Sequence, residues 1–123
     1  MITLNDIIEE LNLEFTIAKG EIDREVTGGY ASDGLSDVMA NSQPGNIWIT
    51  SLMHVNIIAV ATLKELTAII MVNGRVPEDD TLKKAEAEKM PILISKLPAF
   101  ELIGRLYQFG IRSGSHDIER SYI

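Results

Sequence analysis

Cysteine is absent from this sequence of 123 residues, which excludes disulfides, thiol catalysis and cysteine-ligated zinc. Basic residues are scarce: 11 Lys and Arg stand against 18 Asp and Glu, so the net charge is −7. Nucleic acids and anionic membranes bind basic surfaces, and we therefore expect neither as a partner. A small anionic ligand is still compatible with this charge, because a helix N-terminus can bind an anion locally.

Long apolar stretches are missing as well. None approaches the roughly 20 residues that span a bilayer. The segment Met1–Asp6 has neither the basic start nor the apolar core of a signal peptide. We therefore predict a cytoplasmic protein. No cofactor motif and no clear metal-ligand spacing occurs, so the preferred interpretation assigns no catalytic residue, cofactor or metal.

A regular alternation of patterns is present instead. From Ile47 onward, apolar strands and amphipathic helices follow one another three times, which is typical of a parallel sheet with helices on its faces. We predict one compact α/β domain over residues 1–111 and a polar C-terminal tail over residues 112–123. The predicted helices cover residues 3–12, 33–40, 54–66 and 79–89 and a segment from Pro98 to Gly110; the predicted strands cover residues 13–18, 47–50, 67–72 and 91–95.

Two adjacent glycines, Gly28 and Gly29, follow Thr27 and precede a cluster of hydroxyls and carboxylates. Adjacent glycines allow backbone shapes that a Cβ would forbid, so we predict a turn here. The turn is either a site that binds an anion or docks a partner, or simply a geometric necessity. It is not a phosphate-binding loop of the nucleotide-hydrolase kind, because no Gly-Lys-Ser/Thr follows. The sequence therefore gives no support for ATP-dependent phosphoryl transfer.

Two carboxylates come next, Asp33 and Asp37. Four residues apart on a helix, they would share one face and could bind Mg²⁺ or perform acid–base chemistry. The alternative is that Asp33 caps the helix over residues 33–40 and Asp37 lies in its solvated first turn, where acidic groups suit the helix dipole.

Polar residues also follow two of the predicted strands. Thr50, His54 and Asn56 come after one strand, and Asn73 and Gly74 come after the next. In a parallel sheet the ligand crevice lies beyond the carboxyl ends of the strands, so these residues could face one crevice. His54 could carry protons near neutral pH. It could equally be a hydrogen-bonded capping residue.

Several segments, in order, resemble the DRTGG domain family, and together they cover nearly the whole chain. In the naming motif, Glu25 and Val26 occupy the positions of the Asp-Arg pair. The resemblance implies a three-layer α/β/α fold similar to the N-terminal domain of HPr kinase/phosphorylase. It also implies a homodimer and a regulatory role, since such domains accompany CBS modules in regulated pyrophosphatases or precede phosphotransacetylase catalytic domains. The matching segments are Glu25–Tyr30, Asp33–Ala40, Asn46–Thr50, His54–Ala61, Ala85–Ile94 and Ala99–Leu102.

The leading hypothesis is a regulatory or protein-interaction module, a homodimer that senses a small anionic ligand such as an adenine nucleotide and acts on a catalytic protein partner. Two alternatives stay open: a small metal-assisted enzyme that uses His54 with Asp33 or Asp37, and a purely structural dimerisation module without ligand. The ligand-binding residues of the leading hypothesis are Thr27, Gly28, Gly29, Asp33, Thr50, His54, Asn56, Asn73 and Gly74.

Overall fold

A computed structural model describes residues 1–113 of the chain; the rest of the predicted polar tail lies outside the described residues. Residues 1–113 form five α-helices and five strands, with one short 3₁₀ turn at Lys19–Glu21 between the first two strands. The strands are β1 (Glu14–Ile17), β2 (Gly28–Ala31), β3 (Asn46–Thr50), β4 (Ala68–Met71) and β5 (Ile92–Ile94), and the helices are α1 (Leu4–Leu11), α2 (Leu35–Asn41), α3 (Asn56–Leu63), α4 (Asp79–Glu88) and α5 (Ala99–Phe109).

The five strands form one sheet in the order β1-β5-β4-β3-β2. Strands β2 to β5 run parallel, and β1 pairs antiparallel with β5 at one edge. The predicted mostly parallel sheet is therefore confirmed. All residues of β3, β4 and β5 are buried, as expected for central strands covered on both faces.

Two apolar cores, one on each face of the sheet, give the predicted three layers. Helices α1 and α5 pack their buried leucines on one face, against strand residues such as Ile47 and Ile70. Helices α2, α3 and α4 cover the other face, where Trp48 and Ile69 are fully buried. Adjacent strand residues alternate between the two cores because successive side chains of a strand point to opposite faces.

The helix ends follow the signals in the sequence at two places. Thr3 accepts a hydrogen bond from the Asp6 N–H while the Asp6 carboxylate accepts one from the Thr3 N–H, so the two residues form a capping box at the start of α1. Gly110 ends α5 with a φ of 120°, a conformation that favours glycine.

The prediction that Asp33 caps a helix over residues 33–40 is wrong. Helix α2 begins at Leu35, and its capping residue is Gly34, which has no side chain.

The predicted turn at Thr27–Gly28–Gly29 is also wrong, because Gly28 and Gly29 begin strand β2. A Cβ on Gly29 would lie 3.3 Å from the Ile111 side chain, tighter than most real contacts. Its N–H donates to the Arg112 carbonyl at 2.7 Å. The chain leaving α5 therefore runs close along β2, and glycine is needed at residue 29 for close approach instead of for a bend.

Candidate functional site

The carboxyl ends of β2, β3 and β4 lie side by side at one edge of the sheet, here called the carboxyl edge. Parallel strands in register place their last residues together, as with Thr50 of β3 and Met71 of β4. The loops that follow these strands bring polar and charged side chains to this edge. They are Asp33 after β2, Thr50, Ser51, His54 and Asn56 around the end of β3, and Asn73, Gly74 and Arg75 after β4.

Asp33 ties the first two of these strand ends together. One carboxylate oxygen accepts hydrogen bonds from the Thr50 hydroxyl at 2.6 Å and from the Ser51 N–H at 2.8 Å. The other accepts from the Ser51 hydroxyl at 2.5 Å. Thr50 is buried, and its hydroxyl also accepts a hydrogen bond from the Leu52 N–H. Asp33 thus orients Ser51 and holds the loop after β3 in one conformation.

The environment of Asp33 favours its charged form. Partial burial is the largest single influence and raises the pKa of the carboxyl group, but the hydrogen bonds from Ser51 and Thr50 oppose it. Together with the nearby charge of Arg75, these bonds lower the pKa below its ordinary value. Asp33 is therefore an anion at neutral pH, and its acceptor capacity is largely taken by the protein's own donors.

His54 and Asn56 lie at the start of α3 and are both exposed. The Asn56 N–H donates to Nδ1 of His54 at 3.2 Å, so His54 is hydrogen-bonded to the first residue of α3, although the N-cap residue of that helix is Val55. With Nδ1 occupied in this way, Nε2 is the ring nitrogen left to meet a ligand.

The loop after β4 is fixed by its backbone. Asn73 and Gly74 both have positive φ, 58° and 66°. Their N–H groups donate to carbonyls of the loop after β5, at 2.9 and 2.8 Å, so they are not available to cradle an anion. Arg75, the next residue, is exposed and forms no ion pair with any residue between 1 and 113. Arg75 was absent from the sequence-based set, although its position directly after a strand end was a usable signal.

Thr27 and Gly28 lie at the amino end of β2, on the side of the sheet opposite the carboxyl ends of the parallel strands. The Thr27 hydroxyl donates to the Pro44 carbonyl at 2.8 Å and accepts from the Asn46 side-chain amide at 3.3 Å. At a rise of about 3.3 Å per residue, the four residues of β2 separate this end from the carboxyl edge by roughly 13 Å. Six of the nine residues predicted to bind ligand lie at the carboxyl ends of β2, β3 and β4 or in the segments that directly follow them. Thr27 and Gly28 lie at the amino end of β2, and Gly29 packs against Ile111.

Asp37 does not join Asp33. It accepts hydrogen bonds from the Tyr30 hydroxyl at 2.6 Å and from the Asn41 side chain at 2.8 Å. The Tyr30 bond is the main cause of its lowered pKa, and the same bond raises the pKa of Tyr30. Within residues 1–113 there is no group of three or more His, Cys, Asp or Glu side chains placed to hold a metal ion.

None of the helices in the described part of the chain has the length and apolar character that a membrane crossing requires. The compartment of the protein stays a prediction.

The fold and the carboxyl edge define a three-layer α/β/α domain with a polar strand-end site. A comparison with protein-family models finds no match, and neither does one with curated proteins. Among solved structures, the chain is similar to the regulatory region of Clostridium perfringens pyrophosphatase, which contains CBS and DRTGG domains and was crystallised with its activator, diadenosine tetraphosphate. The TM-score is 0.65 at 12% identity, over 91% of this chain and 48% of that one. This chain thus spans about half of its structural neighbour, and the similarity establishes the fold.

Proposed function

We propose that this chain is a regulatory module that binds a small anionic ligand, such as an adenine nucleotide, at the carboxyl edge of its sheet. The observation that carries the proposal is that an oriented hydroxyl, an imidazole and an exposed guanidinium follow two neighbouring strand ends: Ser51 and His54 come after β3, and Arg75 comes after β4. The fold is shared with a regulatory region that was crystallised with a nucleotide activator, which supports the same class of ligand.

Each residue has a distinct part in this proposal. The guanidinium of Arg75 takes the phosphate, since arginine presents several donors in a planar fork that matches phosphate oxygens. Ser51 and the free nitrogen of His54 hydrogen-bond the uncharged polar part of the ligand. Asp33 is a positioning residue that holds Ser51. The amino end of α3 lies at this edge, and its dipole favours an anion there.

The resemblance to DRTGG domains supports the rest of the proposal. The module acts as a homodimer, and ligand binding changes the dimer geometry or its docking to a catalytic partner protein. The metal-assisted enzyme is less favoured, because a cation at Asp33 would have to displace hydrogen bonds from Thr50 and Ser51. A purely structural dimer is the interpretation that remains if no ligand binds.

A thermal-shift panel tests the ligand site. The ligands are ATP, AMP, diadenosine tetraphosphate, pyrophosphate and acetyl phosphate, each with and without Mg²⁺. A ligand at 100 times its Kd adds about 2.7 kcal/mol to stability, which is several degrees for a domain of this size. Arg75→Gln should abolish the shift. Lys83→Gln, which removes the same charge from an exposed position on α4, should leave it unchanged. A flat panel, or an unchanged shift in Arg75→Gln, would reject a ligand site at this edge.

A further inference from the structure

Within residues 1–113, helix α5 has an apolar face that is only partly covered: the Arg112 guanidinium lies 3.7 Å from the centroid of the Tyr107 ring, and much of the face is exposed. Its buried residues Leu102 and Leu106 face the sheet. Phe100, Ile103 and Tyr107 are 90%, 37% and 55% exposed. Because successive helix residues are about 100° apart, these three side chains share one outward stripe. Large apolar side chains exposed together in this way mark interaction surfaces more often than isolated ones do.

A glycine lies in the middle of the same stripe. Gly104 is inside α5, where glycine costs about 1 kcal/mol relative to alanine. A Cβ built on Gly104 would meet no other atom within 4 Å, and its φ is not in the left-handed region. Nothing in the described part of the chain therefore requires a glycine here. A second helix crossing close to the backbone at this point would require one.

The stripe is self-complementary. Phe100 and Tyr107 lie at equal distances on either side of the midpoint between Ile103 and Gly104. If a second α5 packs antiparallel about a two-fold axis at that midpoint, each Ile103 faces the glycine of the other copy. Each Phe100 then faces a tyrosine of the other copy. Such an arrangement is what a symmetric dimer interface requires, because the same patch must fit itself.

We propose that this face of α5 is where a second copy of the chain binds. The charges along the helix agree with the antiparallel arrangement. Glu101 and Arg105 form an ion pair at 3.6 Å within one helix, and both side chains are about half exposed. An antiparallel partner brings Glu101 of each copy within one residue of the level of Arg105 of the other. Residues 99–113 carry two arginines and one glutamate, so this face lacks the excess of negative charge that the chain has as a whole.

The size of the face predicts a weak, reversible dimer. At about 200 Å² per buried aromatic side chain, the exposed parts of Phe100 and Tyr107 supply roughly 300 Å² of apolar surface on each copy. A stable interface buries about 1,200–2,000 Å² in total, so this contact, at roughly 600 Å² over both copies, lies below that range and is a weak one. The inference rests on the homodimer of the proposed function and names its surface; it does not depend on the ligand site.

Sedimentation equilibrium of the full chain, from micromolar to millimolar concentration, tests the proposal. Gly104→Ala should have opposite effects on its two readouts. It should raise the urea midpoint of the monomer, because alanine favours the helix and its Cβ meets open space. It should also weaken the dimer about tenfold or more, because the Cβ separates the two helices. Phe100→Gln should weaken the dimer similarly.

Leu63→Gln is the matched control, since Leu63 is 70% exposed but lies on α3. A wild-type dimer whose Kd is no more affected by Gly104→Ala and Phe100→Gln than by Leu63→Gln would reject the α5 surface and retain the homodimer. A wild-type chain that stays monomeric at every concentration would reject both. Neither result would bear on the thermal shift with nucleotides.

Discussion

The contact between Gly45 and Thr27 allows steric overlap and backbone strain to be measured separately. Gly45 has a φ of 83°, and a Cβ on it would lie 2.6 Å from Cγ2 and 2.7 Å from Oγ1 of Thr27. Gly45→Ala should therefore destabilise the fold for two independent reasons. The left-handed backbone costs alanine about 1–2 kcal/mol, and the overlap costs about 1–3 kcal/mol if the surrounding residues shift to relieve it.

Removing the methyl and hydroxyl groups of Thr27 should remove only the second cost. Thr27→Ala by itself breaks the hydrogen bond to Pro44 and leaves the buried Asn46 amide without its acceptor. We expect that variant to lose about 1–3 kcal/mol. In its background the remaining Cβ of residue 27 would be 3.2 Å from the new one, a tight contact that a small shift relieves, so Gly45→Ala should then cost little more than the backbone strain.

A double-mutant cycle by urea unfolding measures this difference. The expected coupling is about 1–3 kcal/mol, with the double variant more stable than the two single losses predict. Additive losses would show that the Thr27 side chain does not oppose a Cβ at residue 45, and the geometry argued here would be refuted. The cycle also bears on the ligand site. If Thr27 serves the fold in this way, neither variant should change nucleotide binding at the carboxyl edge.

Two further predictions concern other anchors of the fold. Asp33→Asn should lower stability at neutral pH by about 1 kcal/mol, a modest value because the carboxylate is largely exposed and solvent screens it. Since the folded-state pKa of Asp33 is lowered, its contribution is present above pH about 4 and is lost as the pH falls through the folded pKa. Urea midpoints of both proteins should therefore converge at low pH, and a constant difference would contradict the role of the charge. Thr3→Ala should cost about 1 kcal/mol by removing the capping box of α1; an unchanged thermal midpoint would show that the cap contributes nothing.

The layers and strand directions were predictable because they depend on local pattern. The apolar runs around Ile70 and Leu93, with one charged helix between them, indicated buried parallel strands, and both strands lie in the sheet as expected. The capping box of Thr3 and the stop at Gly110 are likewise local, since each depends on residues a few positions apart.

The glycine pair shows where local reasoning fails. Two adjacent glycines predict a turn when only neighbouring residues are considered. The reason for Gly29 is Ile111, more than 80 residues along the chain, whose side chain packs where a Cβ would be. A contact of that separation leaves no local signature.

For the carboxyl edge, too, some features could be predicted from the sequence and others depend on the tertiary structure. The sequence by itself determined that polar residues such as Thr50, His54 and Asn73 follow buried strands, because strand ends can be recognised from where the apolar runs stop. Only the tertiary structure decided that Asp33 binds Ser51 instead of capping a helix and that the charge of Arg75 reaches this edge. Those outcomes depend on which strands are neighbours and on where each loop turns. The pairing of β2 with β3 and of β3 with β4 sets both, and that pairing is a property of the assembled sheet.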